Sequence, residues 1–199
     1  MNHGVKMIQR QIDRLLSEKP HILVAFEGGS AAGKSTVAEY FQSVYDCNVL
    51  HMDDFFLRPE QRTPERLEEI GGNVDYERFF DEVLLPLMSR EAFRYTPYDC
   101  HLQKMKKPVI VLPKPLSIVE GVYSMHPILA YAYDFSAFFK IGARLQKKRI
   151  FQRNGEKMQR LFVEKWIPLE QKYFLGTQVE KRCDLTVCIK GEFKADKKE

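Results

Sequence analysis

The 199-residue chain has only four cysteines, Cys47, Cys100, Cys183 and Cys188, and no two of them form a C-x-x-C pair. A structural zinc site needs paired ligands that this spacing does not offer. No secretory signal is recognisable, and no apolar run approaches the ~20 residues that cross a bilayer. These absences predict reduced thiols in a cytoplasmic protein that does not engage a membrane. A strong charge of one sign is also missing. The 31 basic and 27 acidic residues leave +4, too little to imply nucleic-acid binding by itself. No internal repeat or low-complexity linker divides the chain, so residues 1–199 are expected to form one domain. Hydrophobic content of 44% and charged content of 29% suit a soluble globular protein with a sizeable core.

The distribution of charge tells more than its sum. Eight basic residues and one acidic one, Glu156, lie between Lys140 and Arg160. Eight acidic and three basic residues lie between Glu60 and Glu82. The basic block reads either as a solvated helix face or as a phosphate-contacting surface.

The most specific signal is Gly28-Gly29-Ser30-Ala31-Ala32-Gly33-Lys34-Ser35-Thr36. It follows the apolar run Ile22–Phe26 and precedes the helix-like stretch Thr36–Phe41. Strand, glycine-rich turn and helix are the setting in which G-x-x-x-x-G-K-[ST] works as a phosphate-binding loop. The glycines allow a tight turn in which successive N–H groups face one anion. The helix N-terminus adds partial positive charge. Lys34 supplies a full charge toward the β- and γ-phosphates, and the Ser35 hydroxyl is a ligand type that suits Mg²⁺.

Along the chain, Val5, Ile8, Ile12, Leu15 and Leu16 recur at helical spacing before Pro20. Residues 21–27 read as a buried strand and residues 48–52 as a second. The second strand runs into the acidic pair Asp53-Asp54, where parallel sheets place their chemistry. Residues 55–73 lose periodicity, apart from one short helix near Pro64–Ile70. Asp75 opens a helix over residues 76–90, and a capping role alone would account for it. Tyr98 and Asp99 combine a flat apolar face with a carboxylate, as a nucleoside site requires, though an edge strand reads the same way. Residues 109–112 read as a peripheral strand. Leu116–Val119 reads as a core strand ending at Glu120-Gly121. Helical material is expected near residues 127–131, a strand over Phe135–Ile141, and a basic helix from Ala143 to about Phe151. Asn154-Gly155 marks a break, and a helix over 157–174 is expected to be interrupted at Pro168. Leu185–Ile189 is the last strand, followed by a charged tail over 190–199. This alternation predicts an α/β fold, a three-layer sandwich around a mainly parallel five-stranded sheet.

No N-K-x-D run reads guanine, and no D-x-x-G follows a third strand, which argues against a signalling GTPase. A small-molecule kinase needs a base for the acceptor hydroxyl, Mg²⁺ support and cations over the transferring group. Asp53, Ser35 with Glu120, and Lys34 with an arginine of the basic block fill those roles.

The ordered motifs resemble the uridine kinase/phosphoribulokinase family of P-loop kinases, and within it the uridine–cytidine kinases. The resemblance runs from about residue 22 to 189. It rests on residues 28–36, Met52-Asp53-Asp54-Phe55-Phe56, Asn73-Val74-Asp75, Tyr98-Asp99, Glu120-Gly121-Val122-Tyr123 and Cys183-Asp184-Leu185. It implies a P-loop NTPase fold with a helical lid at about 149–160. ATP or another NTP would be the phosphate donor, with Mg²⁺. It further implies that Asp53 takes the proton of a sugar 5′-hydroxyl, Ser35 and Glu120 hold Mg²⁺, Asp75 holds ribose hydroxyls and Tyr98 lines the nucleoside site. Arg153, beside Asn154-Gly155, is the lid arginine of choice.

One stretch departs from the family. Its Y-D-F-x-x-H pattern becomes Tyr98-Asp99-Cys100-His101-Leu102-Gln103, so Cys100 replaces an aromatic and His101 comes two residues early. His101 reads either as a base contact or as a surface residue. The expected partner is a small molecule: uridine or cytidine first, or else a pantothenate-, glycerate- or sugar-like alcohol. Nucleic acid is not expected as substrate, because the acidic stretch would repel it. A homo-oligomer and a non-catalytic nucleotide-binding regulator remain open readings.

Overall fold

The computed structural model describes residues 3–100 and 102–191. His101 and residues 192–199 of the expected tail lie outside them. Nine strands occur among the described residues: β1 (Ile22–Gly28), β2 (Cys47–His51), β3 (Phe93–Tyr95), β4 (Tyr98–Asp99), β5 (Lys104–Met105), β6 (Val109–Val111), β7 (Leu116–Glu120), β8 (Phe135–Ile141) and β9 (Leu185–Ile189). Five of them form one wholly parallel sheet in the order β2-β7-β1-β8-β9. The short strands make two antiparallel ribbons, β3 with β6 and β4 with β5.

Period-two alternation divides β1 between two cores. Ile22, Val24 and Phe26 face one side, with Ile8 and Ile12 of helix α1 (His3–Glu18) and Val37 and Phe41 of helix α2 (Lys34–Val44). Leu23 and Ala25 face the other side, with Phe55, Phe79, Leu84 and Tyr173. Helices therefore cover both faces, as the apolar strands demand. Each large side chain buried this way contributes about 1.5–3 kcal/mol.

Between β2 and β3 lie a 3₁₀ turn (Met52–Phe55), a second one (Pro59–Gln61), the short helix α3 (Pro64–Glu68), and a helix over residues 76–89. The last consists of α4 (Tyr76–Phe79), a π turn (Phe80–Leu84) and α5 (Leu85–Ser89). The helical material expected near 127–131 is limited to a 3₁₀ turn at Ala130–Ala132. Helix α6 (Ala143–Leu161) is two helical runs that meet at a kink: Gly155, at φ 77° and ψ 177°, is non-helical, a backbone state that glycine reaches without a Cβ clash, and this is the break expected at Asn154-Gly155. A π turn (Phe162–Trp166) then leads into α7 (Ile167–Thr177) and α8 (Val179–Arg182). Pro168 does not interrupt this stretch. It stands in the first turn of α7, where its missing N–H costs least.

Candidate active site

The carboxyl ends of β1, β2 and β7 open on one cleft of about 950 Å³. That is at the upper end for a small-molecule site and has room for a nucleotide with a second molecule.

The phosphate loop forms its floor. Gly28, at φ 132°, lies so close to β8 that a Cβ there would sit 2.3 Å from the Phe139 carbonyl oxygen. Gly33, at φ 94°, caps α2. Lys34 is buried and donates to the carbonyl oxygens of Gly28 (2.7 Å) and Gly29 (3.1 Å). Residues 30–36 all line the cleft. Lid-side groups hold the loop as well. Ser30 donates its hydroxyl to Glu170, and its N–H to Glu170 Oε2 at 3.2 Å. Gln146 Nε2 donates to the Ser30 carbonyl (3.1 Å) and to Glu170 Oε2 (3.3 Å). Arg149 Nη1 donates to the Ala31 carbonyl at 3.0 Å.

Ser35 Oγ donates to Glu120 Oε1 at 3.0 Å, so the pair expected to hold Mg²⁺ meets at one oxygen. His51 Nδ1 lies 2.7 Å from the same oxygen. That hydrogen bond raises the His51 pKa in spite of burial. Burial alone would raise Glu120, but the hydrogen bond from His51 and the charge of Lys34 hold it below the usual carboxylate range. A hydroxyl and an ionised carboxylate are oxygen donors of the kind that Mg²⁺ takes, so the residues present fit the ion. Among the described residues no group of three or more His, Cys, Asp or Glu could hold a metal ion.

Asp53 sits in the 3₁₀ turn after β2 and faces the same cleft. Its surface is open to the cavity, while protein encloses it on the other sides. That enclosure, and then the charge of Glu120, push its pKa up; Lys34, His51 and Arg153 oppose the rise. Arg153, Asn154, Met158, Phe162, Lys165 and Trp166, from α6 and the π turn after it, line the cleft, so cleft-lining residues continue past 160, the limit expected for the lid. Arg153 Nε donates to Asn154 Oδ1 at 2.7 Å. Phe56 and Trp166 approach to 6.4 Å between ring centroids and give this end an apolar wall.

Tyr98 and Asp99 line the cleft as expected. The Tyr98 hydroxyl is buried with no hydrogen-bond partner among the described residues. Asp99 accepts from Leu102 N–H at 2.9 Å and lies 3.8 Å from Lys106 Nζ. Asp75 is different. It is buried, accepts from Arg78 N–H as the cap of α4, and accepts from Gln61 Nε2 at 2.7 Å. Its carboxylate is spent on the protein, and Asp75 is not among the residues that line the cavity. The capping role, which was one of its two sequence readings, is the one seen.

Sequence reasoning passed over Glu27, which is 0% exposed. It accepts from the N–H groups of Gly28 (2.9 Å), Tyr123 (3.1 Å) and Met125 (2.9 Å), and from the Tyr173 hydroxyl (3.0 Å). Burial outweighs these donors and pushes its pKa up to about 7. A carboxylate ending an otherwise apolar strand was the available signal. Glu170 and Gln146 offered none, because their contacts lie 140 and 116 residues away.

No family model matches the chain, and no curated protein does. Solved structures do. A possible uridine kinase from Bacillus stearothermophilus superposes with a TM-score of 0.64 and 18% identity, over 90% of this chain and 98% of that one. A provisionally assigned fructose transport system kinase from Silicibacter superposes with a TM-score of 0.65 and 20% identity, over 94% and 100%. D-glycerate 3-kinase from Cryptococcus neoformans does so with a TM-score of 0.57 and 14% identity, over 83% and 85%. At these identities the likeness concerns the fold, and the chain has the fold of the P-loop kinases.

Proposed function

We propose that the protein is a kinase that moves the γ-phosphoryl group of ATP, or of another NTP, to a hydroxyl of a small molecule. The observation that carries this is convergence. Asp53, Lys34, Ser35 and Glu120 line one cleft, and the charges of Glu120 and Lys34 act on Asp53. The loop N–H groups and Lys34 bind and orient the triphosphate. Lys34 leaves its two carbonyl partners to do so. Ser35 and Glu120 would hold Mg²⁺, which would supply positive charge to the triphosphate. Asp53 accepts the proton of the acceptor hydroxyl. Its raised pKa makes it a stronger base than an ordinary aspartate. Arg153, which lines the same cleft, would cover the charge that develops on the transferring group.

The acceptor reading that follows from the family resemblance is the 5′-hydroxyl of a nucleoside such as uridine or cytidine. The aromatic faces of Tyr98, Phe56 and Trp166 support a planar base. One observation favours the second reading, another small alcohol: Asp75, the carboxylate expected to hold ribose, is buried as a helix cap and is not among the residues that line the cleft. In either reading the protein acts as a single cytoplasmic domain on a small-molecule partner. Among the described residues no helix is long and apolar enough to cross a membrane.

The test is coupled ADP release with Mg²⁺ over nucleosides, sugars, and pantothenate- and glycerate-like alcohols. At least one acceptor is expected to raise turnover well above the rate with ATP alone. If none does, the kinase reading is wrong.

A further inference from the structure

The acidic segment between Glu60 and Glu82 is flanked and threaded by four arginines, and three have carboxylate partners. Arg58 pairs with Glu60 (3.5 Å), Arg66 with Glu69 (3.3 Å) and Glu77 (2.6 Å), and Arg78 with Asp75 (3.6 Å) and Glu82 (3.4 Å). Arg62 has no carboxylate partner among the described residues, although carboxylates surround it in sequence. Its Nε (3.0 Å) and Nη2 (2.9 Å) both donate to the Leu57 carbonyl oxygen. Two donors on one oxygen fix the plane of the guanidinium and leave Nη1 uncommitted. Arg62 is half-buried and lines the cleft, together with Leu67 and Asn73 of the same segment.

The loop that carries Arg62 is anchored. Phe56 bridges to Val74, Leu57 N–H donates to the Asn73 carbonyl (3.4 Å), and Gln61 reaches Asp75. The buried Asp75 thus serves the cleft indirectly, by holding the turn from which Arg62 projects. The opposite side of this end is the β4–β5 ribbon. Tyr98, Asp99, Cys100 and Lys106 of this ribbon and its flanks line the same cleft as Arg62.

The other cleft cations have assignments. Lys34 and Arg149 hold the phosphate loop, and Arg153, whose Nε donates to Asn154 Oδ1, is the arginine assigned above to the transferring group. Lys106 lies near Asp99, and Lys165 sits 4.9 Å from the centroid of the Trp166 ring. A rigid, partly desolvated guanidinium without a counter-charge is a recognition group for a carboxylate or a phosphate. A nucleoside or a neutral sugar has neither to offer.

We infer that Arg62 is an anion subsite of the acceptor half, and that the acceptor is an acidic alcohol. Its hydroxyl goes to Asp53, and its carboxylate or phosphate goes to Arg62. The inference rests on the kinase reading and narrows its substrate class.

The test compares acidic and neutral partners of one skeleton by coupled ADP release: D-glycerate with glycerol, pantothenate with pantothenol, and uridine 3′-monophosphate with uridine. In at least one pair the acidic member is expected to have the higher kcat/KM, by about ten- to a hundredfold, the worth of one charge-assisted hydrogen bond. The first two pairs identify a carboxylate and the third a phosphate. Arg62→Met is expected to bring that ratio toward one, through KM more than kcat, and Arg62→Lys to keep part of it. Arg94→Met, at an exposed position outside the cleft, keeps the full ratio. Turnover that ignores charge in every pair, or an Arg62→Met variant that retains the wild-type ratio, overturns the inference and leaves the kinase reading standing. No turnover with any of the six compounds or the wider panel overturns both.

Discussion

The two halves of the cleft are built in opposite ways. The donor half is a short contiguous loop, residues 28–36, clamped between a buried strand and the N-terminus of α2. The acceptor half is assembled from the turns after β2, the β4–β5 ribbon and the lid. On the proposed reading the donor half would bind a phosphate chain through backbone geometry, which tolerates little variation. The acceptor half would bind through side chains on loops, where a scaffold is free to change its substrate. The difference separates two questions: nucleotide binding is a matter of the first half, and the acceptor is a matter of the second.

The sharpest way to break that division is Asp53→Asn. This substitution keeps the shape of the site and removes the base, so kcat should fall by about 10²–10⁴, with a much smaller change in KM for ATP. Unchanged turnover would move the base elsewhere. Glu120→Gln comes next. Weaker metal support should raise the Mg²⁺ concentration for half-maximal rate by about tenfold, measured by Mg²⁺ titration at fixed ATP. If the requirement does not move, Glu120 has no part in holding the ion.

A third prediction concerns the scaffold that joins the halves. Folded Glu27 keeps its proton up to about pH 7, whereas an unfolded glutamate releases it near its ordinary value of 4.5. Between those values the folded chain binds more protons, so stability falls as pH rises from about 5 to 7. Asp53 and Asp54, also raised, add to the fall, and His51 extends it as pH passes its raised pKa. Thermal melts across this range should show a steadily falling Tm, with a shallower slope in Glu27→Gln. A Tm that rises toward neutral pH would contradict the assignment. The smallest effect is expected for Glu170→Ala, which frees Ser30 from the lid-side helix. KM for ATP should rise by about two- to tenfold, the worth of one hydrogen bond, with kcat nearly unchanged. A matching loss of kcat would give Glu170 a larger role.

Legibility followed the same division. The five core strands and α1 were readable because burial on both faces, or on one stripe, writes itself into apolar runs and helical spacing. Lys34, Ser35, Asp53 and Glu120 were readable because each sits on the loop or at a strand's carboxyl end, where the topology alone brings them together. Asp75 was ambiguous for a physical reason, since a capping carboxylate and a ligand-binding one look alike in sequence. The π turn before Pro168 left no local mark. Arg62 was invisible as an anion site, because its significance is the carboxylate it lacks, and ion pairing in space is not ion pairing along the chain. Glu170 and Gln146 reach the phosphate loop only through tertiary packing.

The most direct measurement is ³¹P NMR of the protein with ATP, Mg²⁺ and the acceptor that best stimulates ADP release. Phosphoryl transfer predicts a new phosphomonoester resonance that grows as the γ-phosphate signal declines, and that is lost in Asp53→Asn. Conversion of ATP to inorganic phosphate alone, or an unchanged ATP spectrum, would contradict it.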